Sequence, residues 1–176
     1  MTTTLVRTGS ALAAAGLLVG MLSACTPEAD PTPTPTMTAA FATDEEAFAA
    51  AEETYRAYVA AGNVPDGNED KYLAGVALEN HLDGERQLEE AGLRVDGETT
   101  VTSFNVERAS LADDRSRLKA AVCLDLRNLR TLSEDGSDVT PVDRPDQIAM
   151  SVEMHVRGSE FRIFQELDAD NTLCAS

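Results

Sequence analysis

Between Leu118 and Leu126 every second residue is aliphatic or alanine (Leu118, Ala120, Val122, Leu124, Leu126), and Lys119, Ala121, Cys123, Asp125 and Arg127 alternate with them. A period of two puts each set on its own face of an extended chain, so the stretch predicts a strand with one buried and one wet face. Ile148, Met150, Val152, Met154 and Val156 repeat the pattern, with Glu153, His155 and Arg157 on the other face. After a Gly158-Ser159 turn, Phe161, Ile163 and Gln165 alternate with Arg162, Phe164 and Glu166. A sheet with one apolar face must be covered by another layer. This requirement restricts what the rest of the chain can be.

The cover lies upstream. Thr43 with Glu46 three residues on forms a capping-box pattern, and Asp44, Glu45 and Glu46 suit the positive end of a helix dipole. Phe48, Ala51, Tyr55 and Val59 follow as an apolar stripe, and Gly62-Asn63 is a stop signal. In the loop after it, Asp66, Asn68 and Asp70 imitate the first ligands of an EF-hand. Lys71 then stands where that loop needs glycine and Ala77 where it needs glutamate, so the segment reads as a turn and an N-cap. A second helix is expected from about Glu69 to Leu82, burying Tyr72, Leu73, Val76 and Ala77. Gly84 is expected to interrupt it, and a short helix to follow over 85–91. Thr99 to Leu111 is rich in Val, Thr and Phe, residues 113–116 suggest a turn, and residues 134–138 suggest a hairpin between 129–132 and 139–142. Helices first and an antiparallel sheet after is an α+β order.

The N-terminal segment has a different character. Met1 to Ser10 carries one basic side chain, Arg7, and Ala11 to Leu22 carries no charge. Twelve apolar residues fall short of the roughly 20 a spanning helix needs. They suit a secretory signal, and Leu22-Ser23-Ala24-Cys25 looks like a bacterial lipobox. The expectation is a signal peptide over 1–24 and lipidation at Cys25. A Thr/Pro-rich tether of polyproline II character follows over 25–42, and one domain over 43–176. The localisation that follows is the extracytoplasmic face of the cell membrane, with the lipid anchor as the membrane contact. In that oxidising compartment Cys123 and Cys174 are expected to pair, two free thiols being the alternative.

Charge limits the partners. The chain has 14 basic and 31 acidic residues, and removal of 1–24 deletes only Arg7 among them. So acidic a surface repels phosphate backbones, which argues against nucleic acid. A folded part of this size also lacks the length for two lobes closing over a solute.

Helices followed by a long hairpin-connected sheet are similar to the nuclear-transport-factor-2-like (SnoaL, steroid-isomerase) superfamily. More narrowly, the lipobox, TyrArgAlaTyr at 55–58, ValCysLeuAsp at 122–125, GlySerGluPheArgIle at 158–163 and terminal Cys174 resemble a group of actinobacterial lipoproteins. The position of Phe161 is often Trp in that group. The resemblance implies a curved, cone-like sheet wrapped around a helix. It implies no function, because enzymes, binders and scaffolds share such folds.

Isomerase-type chemistry in a cone needs a carboxylate base and an acidic hydrogen-bond donor opposite. By residue type these are Asp125, Glu153, Tyr55, Tyr58 and His155. The acids fall on the polar sides of their strands and the tyrosines read as core, Tyr55 in the stripe and Tyr58 flanking it, so no catalytic residue is assigned. His81 and His155 have no ligand spacing to each other or to the cysteines, so no metal site or cofactor is expected. With helix one filling the concave side, little room is expected for a pocket. The functional expectation is a non-catalytic binding or scaffold domain serving an envelope protein or cell-wall ligand. The alternative is a small-molecule binder or isomerase-like enzyme.

Overall fold

The first helix, α1 (Asp44–Gly62), is capped by Thr43, whose Oγ1 accepts the Glu46 N–H at 3.1 Å. The Glu46 carboxylate reaches back to accept the Ala42 N–H at 2.9 Å, so the cap satisfies one orphan donor of the helix and Glu46 holds the residue before the cap. The computed structural model describes residues 41–65, 67–111 and 116–174. The signal segment, Cys25, the tether up to Ala40, Asp66 of the EF-hand imitation and most of the 113–116 turn lie outside those residues. Among the described residues no helix is long and apolar enough to cross a membrane.

A 3-10 turn (Glu69–Tyr72) leads to α2 (Gly75–Glu90). Six strands follow among the described residues: β1 (Leu93–Asp96), β2 (Thr100–Ser110), β3 (Arg117–Asp125), β4 (Arg130–Ser133), β5 (Gln147–Arg157) and β6 (Glu160–Asp168). A second 3-10 turn, Asn171–Cys174, closes the order. The strands form two antiparallel sheets, a four-stranded one in the order β2-β3-β5-β6 and a two-stranded ribbon β1-β4. The described residues form an α+β fold, with two helices packed against antiparallel sheets.

The alternating residues of β3 and β5 share one face. Leu118, Ala120, Val122, Val152 and Met154 are at most 1% exposed, and Val122 stands opposite Phe104 on one side and Met150 on the other. From α1, Ala47, Ala51 and Tyr55 are fully buried against them, one turn apart, while Phe48 and Val59 flank the contact. The expected stripe is therefore rotated toward alanine, the residue that lets a helix approach a sheet closely. The opposite face carries Lys119, Glu153, His155 and Arg157 at one end. At the other end Cys123 and Ala149, also outward by parity, are only 5% and 2% exposed. The closing 3-10 turn covers them: Cys123 and Cys174 form a disulfide with Cα atoms 5.6 Å apart, and the Ala149 N–H donates to Asn171 Oδ1 at 2.8 Å.

The helical region differs from expectation. Instead of one helix over 69–82, the 3-10 turn stops at Tyr72, and Leu73 forms a bridge with Ile163 while the Ala74 N–H donates to the Ile163 carbonyl at 2.8 Å. Pairing with the open edge of β6 requires extended backbone there and protects that edge. Helix α2 then restarts at Gly75, whose φ is +56° and where a Cβ would lie 2.4 Å from the Phe164 ring. It runs straight through Gly84, which has open space around it. A glycine in an exposed turn costs only about 1 kcal/mol, too little to end this helix. Val76, expected in the core, is 38% exposed. The expected 129–132/139–142 hairpin is short: a bridge between Leu132 and Asp138, flanked by the Ser133 N–H on the Ser137 carbonyl and the Val139 N–H on the Thr131 carbonyl, while β4 pairs with β1 along its other edge.

Candidate functional site

One irregularity in β6 creates the site. Phe161 and Ile163 point inward, as their alternation predicts, opposite Val156 and Met154. Between Glu153 and Met154 the register then slips: Met154 faces Ile163 but Glu153 faces Gln165, so Phe164 is an extra residue. Such a bulge reverses the phase of everything after it. Phe164 turns outward and stacks on the His155 ring, with centroids 4.1 Å apart. Glu166, on the polar side by simple alternation, comes to stand opposite the fully buried Val152 and faces the core.

Two phenols receive it. Tyr55 donates to Glu166 Oε1 at 2.8 Å and Tyr58 to Oε2 at 3.2 Å. Their rings meet edge to face at 5.8 Å, three residues apart on α1. The far end of that helix is fixed by Asn63, whose side-chain amide donates to the Thr99 carbonyl and accepts the Thr99 N–H, both at 2.8 Å. This clamp positions the start of β2 against the end of α1.

Beside the Tyr55–Glu166–Tyr58 group opens a cleft of about 290 Å³. Leu124, Leu126, Ile148 and Met150 supply a sheet wall, Val95 and Leu129 a wall on the ribbon side, and Val59 and Gly62 the helix wall. Glu69 and Glu166 are the carboxylates that line it. This cleft corrects the expectation of little room beside helix one. The room exists because the fully buried contacts of α1 in its first half are alanines, while its second half carries the two tyrosine rings next to the cleft.

The electrostatics follow from burial. Loss of water pushes the Glu166 carboxyl above its ordinary value, and the two phenol hydrogen bonds pull it back in part. Burial also drives both tyrosines upward, reinforced by the Glu166 charge and by the hydrogen bonds they donate to it. Both phenols therefore stay protonated, as donors, at any physiological pH.

A pH dependence with two windows follows, and stability falls with rising pH in both. The unfolded chain loses its phenol protons near pH 10, whereas Tyr55 and Tyr58 hold theirs higher in the fold. Their contribution is complete below that pH and is lost as pH rises above it, so alkaline unfolding sets in there. Glu166 is also raised, from 4.5, so its protonation favours the fold and stability falls as pH climbs through the folded value. Thermal melts from pH 4 to 11 should show both slopes. Glu166→Gln should flatten the acid-side one and Tyr58→Phe should weaken the alkaline one. An unchanged acid-side slope in Glu166→Gln would remove Glu166 from this role.

Of the residues singled out by type, Tyr55 and Tyr58 are brought together at the site. The others are not. Asp125 is bound by Arg127, whose side-chain and backbone hydrogen bonds hold its carboxyl down at about 2. Glu153 contacts His155 at 2.7 Å and Arg117 at 3.7 Å on the outer face. Alternation alone missed Glu166, and the adjacent apolar pair Ile163-Phe164 is the one local trace of the slip.

No family model matches the chain, and no curated protein matches it. Among solved structures the chain is similar to the intermembrane space region of the chloroplast protein ARC6, with a TM-score of 0.48 and 16% identity, covering 69% of this chain and 95% of that one.

Proposed function

We propose that the protein is an extracytoplasmic lipoprotein, anchored through Cys25, whose folded part binds a small amphipathic ligand beside Glu166 without transforming it. The resemblance to the nuclear-transport-factor-2-like superfamily and to actinobacterial lipoproteins belongs to this proposal. One observation carries the ligand reading: a cleft walled by aliphatic side chains holds a buried carboxylate gripped by two phenols. Each phenol hydroxyl hydrogen is committed to Glu166. What remains is the carboxylate's acceptor capacity, which suits a ligand with an apolar body and a hydroxyl or amine donor. The ligand belongs to the envelope or the cell wall if the anchor reading holds, since a diacylglyceryl group gives the two chains that stable membrane attachment needs. A proton-transfer enzyme is the second reading. The raised carboxyl of Glu166 favours it, as a base pushed toward neutrality.

Titration with the neutral fluorophore N-phenyl-1-naphthylamine tests the binding reading. Saturable enhancement is expected with the wild type. It should be lost in Val59→Trp, which fills the cleft, and be weakened about tenfold in Glu166→Gln, which loses a charged acceptor. Non-saturable enhancement, or binding indifferent to both changes, counts against the cleft. Separately, Cys25→Ser should release the protein from membranes, and unchanged partitioning would remove the anchor.

A further inference from the structure

Next to the cleft, the 3-10 turn and the middle of α2 bring four polar side chains toward one point. His81 Nε2 lies 3.3 Å from Asp70 Oδ1, 3.5 Å from Glu69 Oε1 and 3.7 Å from Glu85 Oε1. Donor atoms of Glu69, His81 and Glu85 all fall within 4.8 Å of one another. This is not simply a patch of the acidic surface, for two reasons.

The first is the imidazole. His81 Nε2 is sealed from solvent and makes no hydrogen bond, one of two such side-chain atoms among the described residues. A buried polar atom without a partner is costly, and native proteins seldom leave one among three available acceptors. The second is the spacing. A closed N–H···O contact lies at 2.7–3.2 Å, and all three distances are longer. Donors held about 2.0–2.2 Å from a tetrahedral ion are separated from one another by roughly 3.3–3.6 Å. The nitrogen stands near those separations from all three oxygens, closes a hydrogen bond to none of them, and is placed to share a cation with them.

We propose that Glu69, His81 and Glu85 bind a divalent transition-metal ion of the zinc type, with Asp70 as the nearest fourth donor. The local sequence builds this set. His81 and Glu85 are one helical turn apart and so lie on the same side of α2. Asn68, at a left-handed φ of 53°, turns the chain into the 3-10 turn that presents Glu69 and Asp70. An imidazole ligand selects zinc and its neighbours over magnesium and calcium, which prefer all-oxygen sets. His–His and His–Cys spacing carry no trace of this arrangement, because the partners of His81 are carboxylates. Glu69 lines the cleft as well, so a bound ion would sit at its rim.

The test is calorimetric titration of Zn²⁺ into the chelator-treated full chain, at physiological salt with millimolar Mg²⁺ present to occupy diffuse acidic sites. One equivalent is expected, weakened roughly 100-fold in His81→Ala and about tenfold in Glu85→Gln. Glu85 is 59% exposed at its side chain, so its replacement leaves the fold intact even if His81→Ala disturbs it. Co²⁺ should give the visible absorption of a four-coordinate site in the wild type, and lose it in His81→Ala. The proposal is overturned if the wild type binds no Zn²⁺ under Mg²⁺. It is equally overturned if Zn²⁺ binds in several equivalents with neither substitution changing the affinity, which would mark diffuse surface binding.

Discussion

Val122→Asp is expected to abolish cooperative folding. Val122 is fully buried in β3, an inner strand, with Phe104 of β2 and Met150 of β5 beside it and the core of α1 above. A carboxylate placed there has no described cationic partner in the core cluster, whose members are apolar or tyrosine. The penalty of an unpaired buried charge is several kcal/mol, and the lost valine packing adds to it. Total stabilities of about 5–15 kcal/mol leave little after such a loss. Circular dichroism should show no cooperative melt. Glu153→Ala is the control on the next strand: its side chain is 34% exposed on the wet face, and the change in stability should stay within about 0.5 kcal/mol. A Val122→Asp protein that melts cooperatively within a few degrees of wild type would mean that this face of the sheet is not the core.

The contrast between those positions was legible in the sequence, because β3 and β5 keep one phase from end to end and two long strands with matching phases have few other registers. Legibility failed wherever a tertiary contact changed the phase or the backbone. Phe164 adds one residue to β6 and turns Glu166 inward, yet the composition of the segment is the same with or without the bulge. The pairing of Leu73 and Ala74 with Ile163 breaks a helix whose local pattern continues, because an open strand edge more than 80 residues away competes for that backbone. Leu93–Asp96 is not legible as a strand, since four residues with one apolar face are too few to show a period, and the sequence of its partner β4 signals only the turn that follows it. The candidate site inherits these blind spots. Tyr55 and Tyr58 could be read from their stripe, but the carboxylate they hold could not. His81 and Glu85 were one turn apart in plain view, while Glu69 and Asp70 became their neighbours only through the turn at Asn68.

Removal of the Cys123–Cys174 disulfide has the second large expected effect. The bond spans 51 residues, and the loop-entropy relation assigns about 4 kcal/mol to closing a loop of that length. Two further consequences are local. Cys123 is on the outer face of β3 and is 5% exposed, so releasing the closing 3-10 turn uncovers it and its neighbour Ala149. The Asn171 side chain, which accepts the Ala149 N–H, loses the tether that holds it there. Cys123→Ser/Cys174→Ser should lower the melting temperature by on the order of 10–15 °C for a domain of this size. The core face of β3 and β5 is untouched, so the double variant should still fold at low temperature with a native-like near-ultraviolet spectrum, which separates it from Val122→Asp. Hydrogen exchange should rise first at Ala149 and Ala169, whose backbone groups bond each other at 2.9 Å beneath the turn. A shift of only one or two degrees, with Ala149 still protected, would show that Asn171 and the backbone hold the C-terminal turn without the covalent bond.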